Sequence, residues 1–434
     1  MTVRESPFSP DFKPTPYWWD ASPQQTDDGA DLPGEADVLI IGAGYTGLHA
    51  AIQTARAGLS TTVIDAEAAG WGCSTRNGGQ VSTSVKPSYA ALTKRHGKEI
   101  AIALLKEGQA SLDHVATFIR QEKIDCDFHT VGRFHGAHTK KQYEGLAREC
   151  DTNHPGFETN AWMVPRAEQQ SELGTEVYHG GMVLPHHSSL DPGKYHAGLL
   201  QVARQAGVQI VSHCPATGIE HHATGFDVQT KKGLTKTGKV IVATNGYTGA
   251  LTPWQQRRII PIGSYVIATE EVPAELMDLL FPTNRVLSDT RKLVYYYRPS
   301  PDRKRVLFGG RVSLGETDPR KSGPKLHAEL TRLFPQLAKT RISHSWAGLV
   351  GYTFDTLMHC GEDRGLFYAM GYCGSGVGMA GYLGSRMGMR AAGLERGLSA
   401  FAKPAFQTRP LYTGKPWFLA PSVIAYRLRD WLGT

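Results

Sequence analysis

Ala36–Asn77 reads ADVLIIGAGYTGLHAAIQTARAGLSTTVIDAEAAGWGCSTRN. Val38 to Ile41 is a continuous apolar run, as expected of a parallel strand covered on both faces. It leads into Gly42-x-Gly44-x-x-Gly47, a helix-forming stretch, and a second strand, TTVID. In this pattern Gly42 permits the tight turn and Gly44 lets the backbone approach a pyrophosphate. Gly47 lets the helix pack close to the strand. The helix start, with Tyr45 and Thr46, offers free N–H groups and about half a positive charge to the phosphates. Asp65 closes the second strand about 20 residues beyond Gly44, where an acid binds ribose hydroxyls. Ala66 follows it. Strand, turn, helix, strand and acid together define a βαβ dinucleotide-binding unit.

Working outward, the chain has 434 residues, too many for one ordinary core, and divides into two domains. Apolar residues are 41% and charged residues 20%, ordinary for a water-exposed globular protein. The net charge of +7 is spread rather than blocked, and no nucleic-acid module is present. Cys73, Cys126, Cys150, Cys214, Cys360 and Cys373 form no C-x-x-C pair. They read as reduced thiols of a cytoplasmic protein, with no metal site. The stretch MTVRESPFSPDF is polar and broken by proline, unlike a signal peptide. No apolar run is long enough to span a bilayer.

Residues 1–35 form a Pro- and Asp-rich arm whose Tyr17-Trp18-Trp19 patch is expected to dock on the body. Helical spacing covers 88–123 and KKQYEGLAREC, with a strand-like segment, DFHTVGRFHGA, between them. Asp191-Pro192 begins a helix running to about Ala206, with Asp as cap and Pro in the first turn. Val208–Val211 is a short strand. GIEHHATGFDVQTKKG is a hairpin, leading to a second apolar strand, KVIVATNG, in the nucleotide sheet. Residues 253–345 alternate apolar positions with Tyr, Thr and Arg, the texture of an antiparallel sheet; PSPDRK turns between two of its strands. A helix is expected near Val377–Gly393. The tail WFLAPSVIAYRLRDWLG contains an amphipathic helix, expected to pack on the body rather than on a membrane surface.

GCSTRNGGQ, at Gly72–Gln80, resembles the flavin loop of the D-amino-acid oxidase (DAO) superfamily, FAD-dependent amine and amino-acid oxidoreductases. The branch with γ-glutamylputrescine oxidase-like proteins, related to glycine and sarcosine oxidases, is the most similar. TGKVIVATNGYTG resembles the family's second FAD strand, VLFGGR its substrate-domain strand, and GYCGSGVGMAGYLG its last glycine turn and helix. The four matches occur in the family's order. Two departures stand out: Asp65 replaces the usual Glu, and Ser375 stands where His is common.

The resemblance implies an α/β (α+β) fold, a Rossmann-like FAD-binding domain with an antiparallel-sheet substrate domain. The FAD-binding domain is expected at 36–90, 186–250 and 346–400. The substrate domain is expected at 91–185 and 251–345, and the tail at 401–434. FAD is expected to be noncovalent. Its implied contacts are Gly42, Gly44, Tyr45, Thr46, Gly47, Asp65 and Ala66 in the βαβ unit. Gly72, Cys73, Ser74, Arg76, Asn77, Gly78, Gly79 and Gln80 supply the loop, with Arg76 and Asn77 beside the pyrophosphate or the isoalloxazine ring. Ala243, Thr244 and Gly246 follow the second strand. Gly374, Gly376, Val377, Gly378 and Met379 lie where a helix N-terminus would stabilise charge on the reduced ring.

The implied reaction oxidises a C–N bond. A hydride passes from the carbon beside an amine to flavin N5, and water hydrolyses the imine. It requires the free amine, which apolar or cationic surroundings favour; no protein base is strictly needed. Alternation on KLVYYYR puts Leu293, Tyr295 and Tyr297 on one face and Val294, Tyr296 and Arg298 on the other. Tyr265 and Tyr297 are candidate walls over the flavin. Arg298 and Arg311 are candidate carboxylate clamps, and His359 is a further site candidate. O2 is the expected acceptor, giving H2O2. The alternatives are a dehydrogenase passing electrons to a quinone or partner protein, and a flavin-binding subunit of a hetero-oligomer. The expected partners are a small amine or amino acid and, in a homo-oligomer, further copies of the chain; a monomer is equally compatible.

Overall fold

The computed structural model describes residues 6–24, 29–83, 85–151 and 159–432. Glu35–Ile41 is central to one sheet. It pairs in parallel with Thr61–Ile64 on one side and Gly233–Val242 on the other. Gln209–Val211 extends this sheet past Thr61–Ile64, and Leu366–Met370 joins Gly233–Val242 in parallel. The hairpin of Ala216–His222 and Gly225–Thr230 completes an edge. Val38, Leu39 and Ile40 are fully buried, so the strand is covered on both faces, as its unbroken apolar run implies.

Two helices cover one face at the dinucleotide turn. Tyr45–Arg56 follows Gly44 directly, and Gly376–Ala391 packs along it. A Cβ on Gly384 would sit 2.4 Å from the Thr46 carbonyl oxygen, and one on Gly388 would sit 2.3 Å from that of Ala50. The bare glycines therefore let the two backbones touch. The helix Pro192–Gln205 starts as its sequence requires: Asp191 Oδ1 accepts the N–H groups of Gly193 (2.8 Å) and Lys194 (3.0 Å). The expected helical stretch at 88–123 is two helices, Tyr89–His96 and Lys98–Gln121, because Gly97 adopts φ +83° between them.

The second sheet has nine strands. From one edge they are Phe8–Lys13, Ile342–Tyr352, Ile260–Thr269, Val306–Gly310, Tyr296–Pro299, Val286–Asp289, Arg133–Gly136, Gly180–Leu184 and Trp162–Pro165. Most neighbours are antiparallel, but Phe8–Lys13 pairs in parallel with Ile342–Tyr352, and Val286–Asp289 in parallel with Arg133–Gly136. One face is closed by the helix Pro319–Leu333, whose Leu326, Leu330 and Leu333 pack with Tyr265, Tyr297 and Phe308. The other face turns toward the flavin-loop segment 72–80: a Cβ on Gly78 would lie 3.0 Å from the Tyr296 ring.

The expected segment boundaries shift at two places. Residues 346–352 lie in the strand Ile342–Tyr352 of the second sheet, so a break at 345/346 would cut a strand. Leu104, Leu112 and Val115, expected with the substrate domain, join the core of the nucleotide sheet with Leu48 and Leu383. The amphipathic pattern of that long helix fixed a buried face but not which sheet it would cover.

The arm docks as expected. Trp18 is fully buried and donates its indole N–H to the Asn77 carbonyl (2.8 Å); Trp19 donates to Thr75 Oγ1 (2.9 Å). The tail helix Leu419–Leu432 is tied to the body by Asp430, which accepts the N–H groups of Lys292 and Leu293, and by Arg427, which donates to the Val312 carbonyl. Val423 is its buried residue, while Trp431 remains 80% exposed. Among the described residues no helix is long and apolar enough to cross a membrane.

Candidate active site

The dinucleotide turn is held by its own backbone. Gly42 has φ +110°, and a Cβ there would lie 2.8 Å from the Ala243 carbonyl oxygen. A Cβ on Gly47 would lie 1.8 Å from the Gly42 carbonyl oxygen, so no larger residue fits without moving the turn. The first-turn amides of Thr46 and Gly47 have no partner inside the helix. The Tyr45 amide donates to Ser74 Oγ (3.0 Å), which joins the flavin-loop segment to the same helix end. Asp65 is half-buried and accepts the Ala43 N–H at Oδ2 (2.7 Å) and the Glu67 N–H at Oδ1 (3.0 Å). Burial raises its carboxyl pKa against the pull of those two amides. The shorter acid thus braces the turn. Ala66 is exposed beside it.

In Gly72–Gln80 the side chains bond both within the loop and to strands of the second sheet. Arg76, expected beside the pyrophosphate or ring, donates to the Trp71 (2.6 Å) and Ala347 (3.1 Å) carbonyls. Its guanidinium lies 4.5 Å from the Trp71 ring centroid and 4.8 Å from that of Trp19. Asn77 donates to the carbonyls of Cys73 and Ser74 and accepts the Gly79 N–H. Cys73 donates to the Leu349 carbonyl, and burial pushes its thiol up to about 11. Gln80 reaches the second sheet, donating to the Leu287 and Tyr297 carbonyls. After the second apolar strand, Ala243 N–H bonds to Ile41 O, Thr244 pairs with the Thr248 hydroxyl, and Gly246 packs against Leu349 O.

The last glycine turn differs in having space before it. Gly374 takes φ +97°, and the nearest atom to a Cβ there is the Tyr352 hydroxyl at 3.9 Å. Gly376 is similarly open, with Tyr372 at 3.8 Å. Gly376, Val377 and Gly378 form the first turn of Gly376–Ala391, so their amides lack helical partners. Met379 is buried behind them, and Cys373 bonds inward to the Gly371 carbonyl.

The five expected substrate residues do not converge. Tyr265 and Tyr297 are on the sheet face covered by Pro319–Leu333. Tyr265 donates to Glu316 Oε2 (3.0 Å), and Tyr297 to the Tyr178 hydroxyl (3.1 Å). Arg298 is on the loop-facing side, but donates to the carbonyls of Gly79, Leu190 and Pro299. Arg311 donates to Gly263 O, Leu314 O and Glu316 Oε1. His359 is buried, bonded to Asp355 (3.0 Å) and stacked on Phe406 at 4.3 Å. Burial pushes the Asp355 carboxyl up, but bonding and charge from His359, with the Leu357 amide and Thr353 hydroxyl, leave it below its ordinary value.

Other residues occupy the face that meets the glycine turns. Strand pairing sets His135, Ser288, Tyr296, Gly309, Val266 and Trp346 side by side across it. Gly309 makes room for the Tyr296 ring, which a Cβ would approach to 2.3 Å, and the Tyr296 hydroxyl pairs with Ser264 Oγ at 2.9 Å. Lys86 Nζ lies 5.7 Å from the Tyr352 ring centroid. The sequence carried a signal for Tyr296, its alternation with Tyr297, but nothing local told which face would be covered. A separate open cleft of about 610 Å³, lined partly by Phe226, Trp254, Arg258 and Leu366, includes none of the glycine-turn residues. Among the described residues no three His, Cys, Asp or Glu side chains gather as a metal site.

These parts suit a flavin dinucleotide: free amides at two helix starts, an acid after the second strand, and open space beside Gly374. Residues 37–388 match the family described as FAD dependent oxidoreductase, DAO, and the chain belongs to it. It is therefore an FAD-dependent oxidoreductase with the fold of that family. It is 32% identical to a probable oxidoreductase OrdL of Rhizobium meliloti (strain 1021), over 98% of this chain and 99% of that protein. It is 30% identical to gamma-glutamylputrescine oxidoreductase of Escherichia coli (strain K12), over 92% of this chain and 93% of that one. Its fold is similar to glycine oxidase from Geobacillus kaustophilus, with a TM-score of 0.70 at 20% identity, covering 87% of this chain and 99% of the other.

Proposed function

We propose that the protein oxidises the C–N bond of an amine or amino acid, with electrons passing to O2 and H2O2 released. A γ-glutamylated polyamine, a secondary amine or an imino acid is the substrate we favour. Bound FAD supplies the two-electron acceptor. The observation that carries the reading is the bare Gly374 turn, where a Cβ would meet nothing nearer than the Tyr352 hydroxyl at 3.9 Å, leading into the first-turn amides of Gly376–Ala391. The helix start after that turn would hold a flavin ring, which would supply the electron acceptor. The unpartnered amides of Gly376, Val377 and Gly378 stabilise negative charge arriving near them. Lys86 beside Tyr352 disfavours a second positive charge, so the site selects the neutral amine whose lone pair the reaction needs. The Tyr296 ring, held by Gly309 and Ser264, excludes water from its own face of the sheet.

Noncovalent attachment agrees with Cys73 and Cys373, whose thiols turn to protein carbonyls. Six free cysteines agree with a reducing cytoplasm. An anaerobic screen of amines and amino acids against the flavin-loaded protein tests the reading. Loss of the oxidised-flavin absorbance with at least one amine is expected, followed by peroxide on admitting air. Bleaching with slow recovery in air would replace the oxidase by a dehydrogenase. No bleaching with any amine would point to a flavin-binding subunit.

A further inference from the structure

The tail helix Leu419–Leu432 sits on the body the wrong way round for an amphipathic helix. At about 100° per residue, Val423, Arg427 and Asp430 share one row along it. That row meets the protein. Val423 is buried, Arg427 donates to the Val312 carbonyl (2.7 Å), and Asp430 accepts the N–H groups of Lys292 (2.6 Å) and Leu293 (3.1 Å). These bonds fix which way the helix is turned. The residue after each of the three lies on the next row, about 100° round the axis: Ile424, Leu428 and Trp431. Each is more than half exposed, Trp431 by 80%, and so are Leu432 on the adjoining row and Trp417 before the helix.

Single exposed apolar side chains are ordinary, but a continuous row of them on one helix marks a surface that something covers. The charge around the row points to what. Arg427 and Arg429 fall on its two sides, and Arg409 and Lys415 precede the helix. All four are exposed. The one carboxylate of the helix, Asp430, is turned inward onto backbone N–H groups. A second copy of the chain, docked by the same face about a two-fold axis, would set these cations against their own counterparts. An anionic lipid surface receives both parts. Apolar side chains enter the acyl boundary, the indoles of Trp417 and Trp431 suit the headgroup level, and the cations meet phosphates.

We propose that Leu419–Leu432 is a membrane-docking helix, which holds the protein on an anionic lipid surface through Ile424, Leu428, Trp431 and Leu432. The helix lies in the plane of the interface and does not span it, since its 14 residues are too few. Arg427 and Asp430 set the outward face beforehand, so docking does not require the tail to leave the body. Packing on the body and docking on a membrane are compatible because different rows of the helix do each.

The test sediments the flavin-loaded full chain with vesicles of phosphatidylcholine and phosphatidylglycerol in equal parts, and with vesicles of phosphatidylcholine alone. Binding to the mixed vesicles is expected, weakened by salt and at least tenfold weaker on phosphatidylcholine alone. Leu428→Ser combined with Trp431→Ser is expected to lower binding to the mixed vesicles at least tenfold, while flavin content and thermal midpoint stay those of wild type. Arg429→Glu, which removes no apolar surface, is expected to lower it several-fold. No binding to the mixed vesicles, or binding by the double variant like that of wild type, overturns the proposal. So does a dimer, seen by light scattering, that the double variant dissociates while vesicles bind neither form; the face would then belong to a second copy. The outcome is independent of the C–N oxidation reading, because no turnover is measured.

Discussion

The dinucleotide turn and the tyrosine-bearing sheet build binding surfaces in opposite ways. Around Gly42, Gly44 and Gly47 the surface is backbone, and side chains are absent because they would collide with Gly42 O, Ala243 O or Ser74 Oγ. On the sheet the surface is side chain, and neighbouring tyrosines have unlike fates. Tyr296 faces the glycine turns, while Tyr297 is sealed beneath the helix Pro319–Leu333. A backbone surface tolerates no added atom. A side-chain surface is set by the choice of face, and that choice belongs to tertiary packing.

The sharpest way to break this contrast is Gly47→Ala. Its Cβ has 1.8 Å where contact needs about twice that, so the turn must move. We expect at least about 3 kcal/mol of lost stability and purified protein with little bound flavin, read as visible absorbance per chain. Normal flavin content would show that the turn is not rigid.

Arg298→Ala comes next. Removing the guanidinium strands the Leu190 carbonyl and leaves that of Gly79 with the Leu190 amide alone, costing about 2 kcal/mol in urea unfolding. If Arg298 were instead a substrate clamp, stability would hold and KM would rise.

Acid lability probes the backbone region from beneath. His196 is buried, bonds to the Ala43 carbonyl at 2.8 Å, and has its pKa lowered by burial from 6.5 to about 4. Below pH 6.5 the unfolded chain takes up a proton that the folded chain refuses. Stability then falls with decreasing pH until about 4, by about 1.4 kcal/mol per pH unit for this group. His196→Gln is expected to flatten the slope of unfolding free energy between pH 6 and 5 by up to that amount.

The smallest effects separate the two tyrosines. Tyr297→Phe removes its bond to Tyr178 and is expected to cost about 1 kcal/mol of stability, with flavin reduction unchanged. Tyr296→Leu is expected to slow amine-dependent flavin reduction at least tenfold while leaving the flavin bound. The reverse pattern would mean that the faces are assigned the wrong way round.

The same contrast explains what could be read from the chain alone. Gly42 to Asp65 is legible because spacing there follows from local geometry: a turn, a helix start and a strand end. The Asp191 cap is legible for the same reason. Tyr265 and Tyr297 misled because alternation divides a strand into two faces without naming the covered one. The partners of Arg76 and Arg298 could not be read, because a guanidinium reads equally as a ligand clamp or as a staple for carbonyls that only tertiary structure supplies.

The docked arm has a consequence for the order in which the protein is made. Phe8–Lys13 leaves the ribosome more than 300 residues ahead of its strand partner, Ile342–Tyr352. Trp18 and Trp19, which tie down Asn77 and Thr75, lie in the same arm. A nascent chain can close its Gly42 turn early. It must carry the arm unpaired until Ile342–Tyr352 emerges, so the Gly72–Gln80 loop is fastened only after that strand has been made. Nascent chains halted before Ile342 should therefore expose Trp18 to solvent quenchers, while chains extended past Tyr352 should protect it.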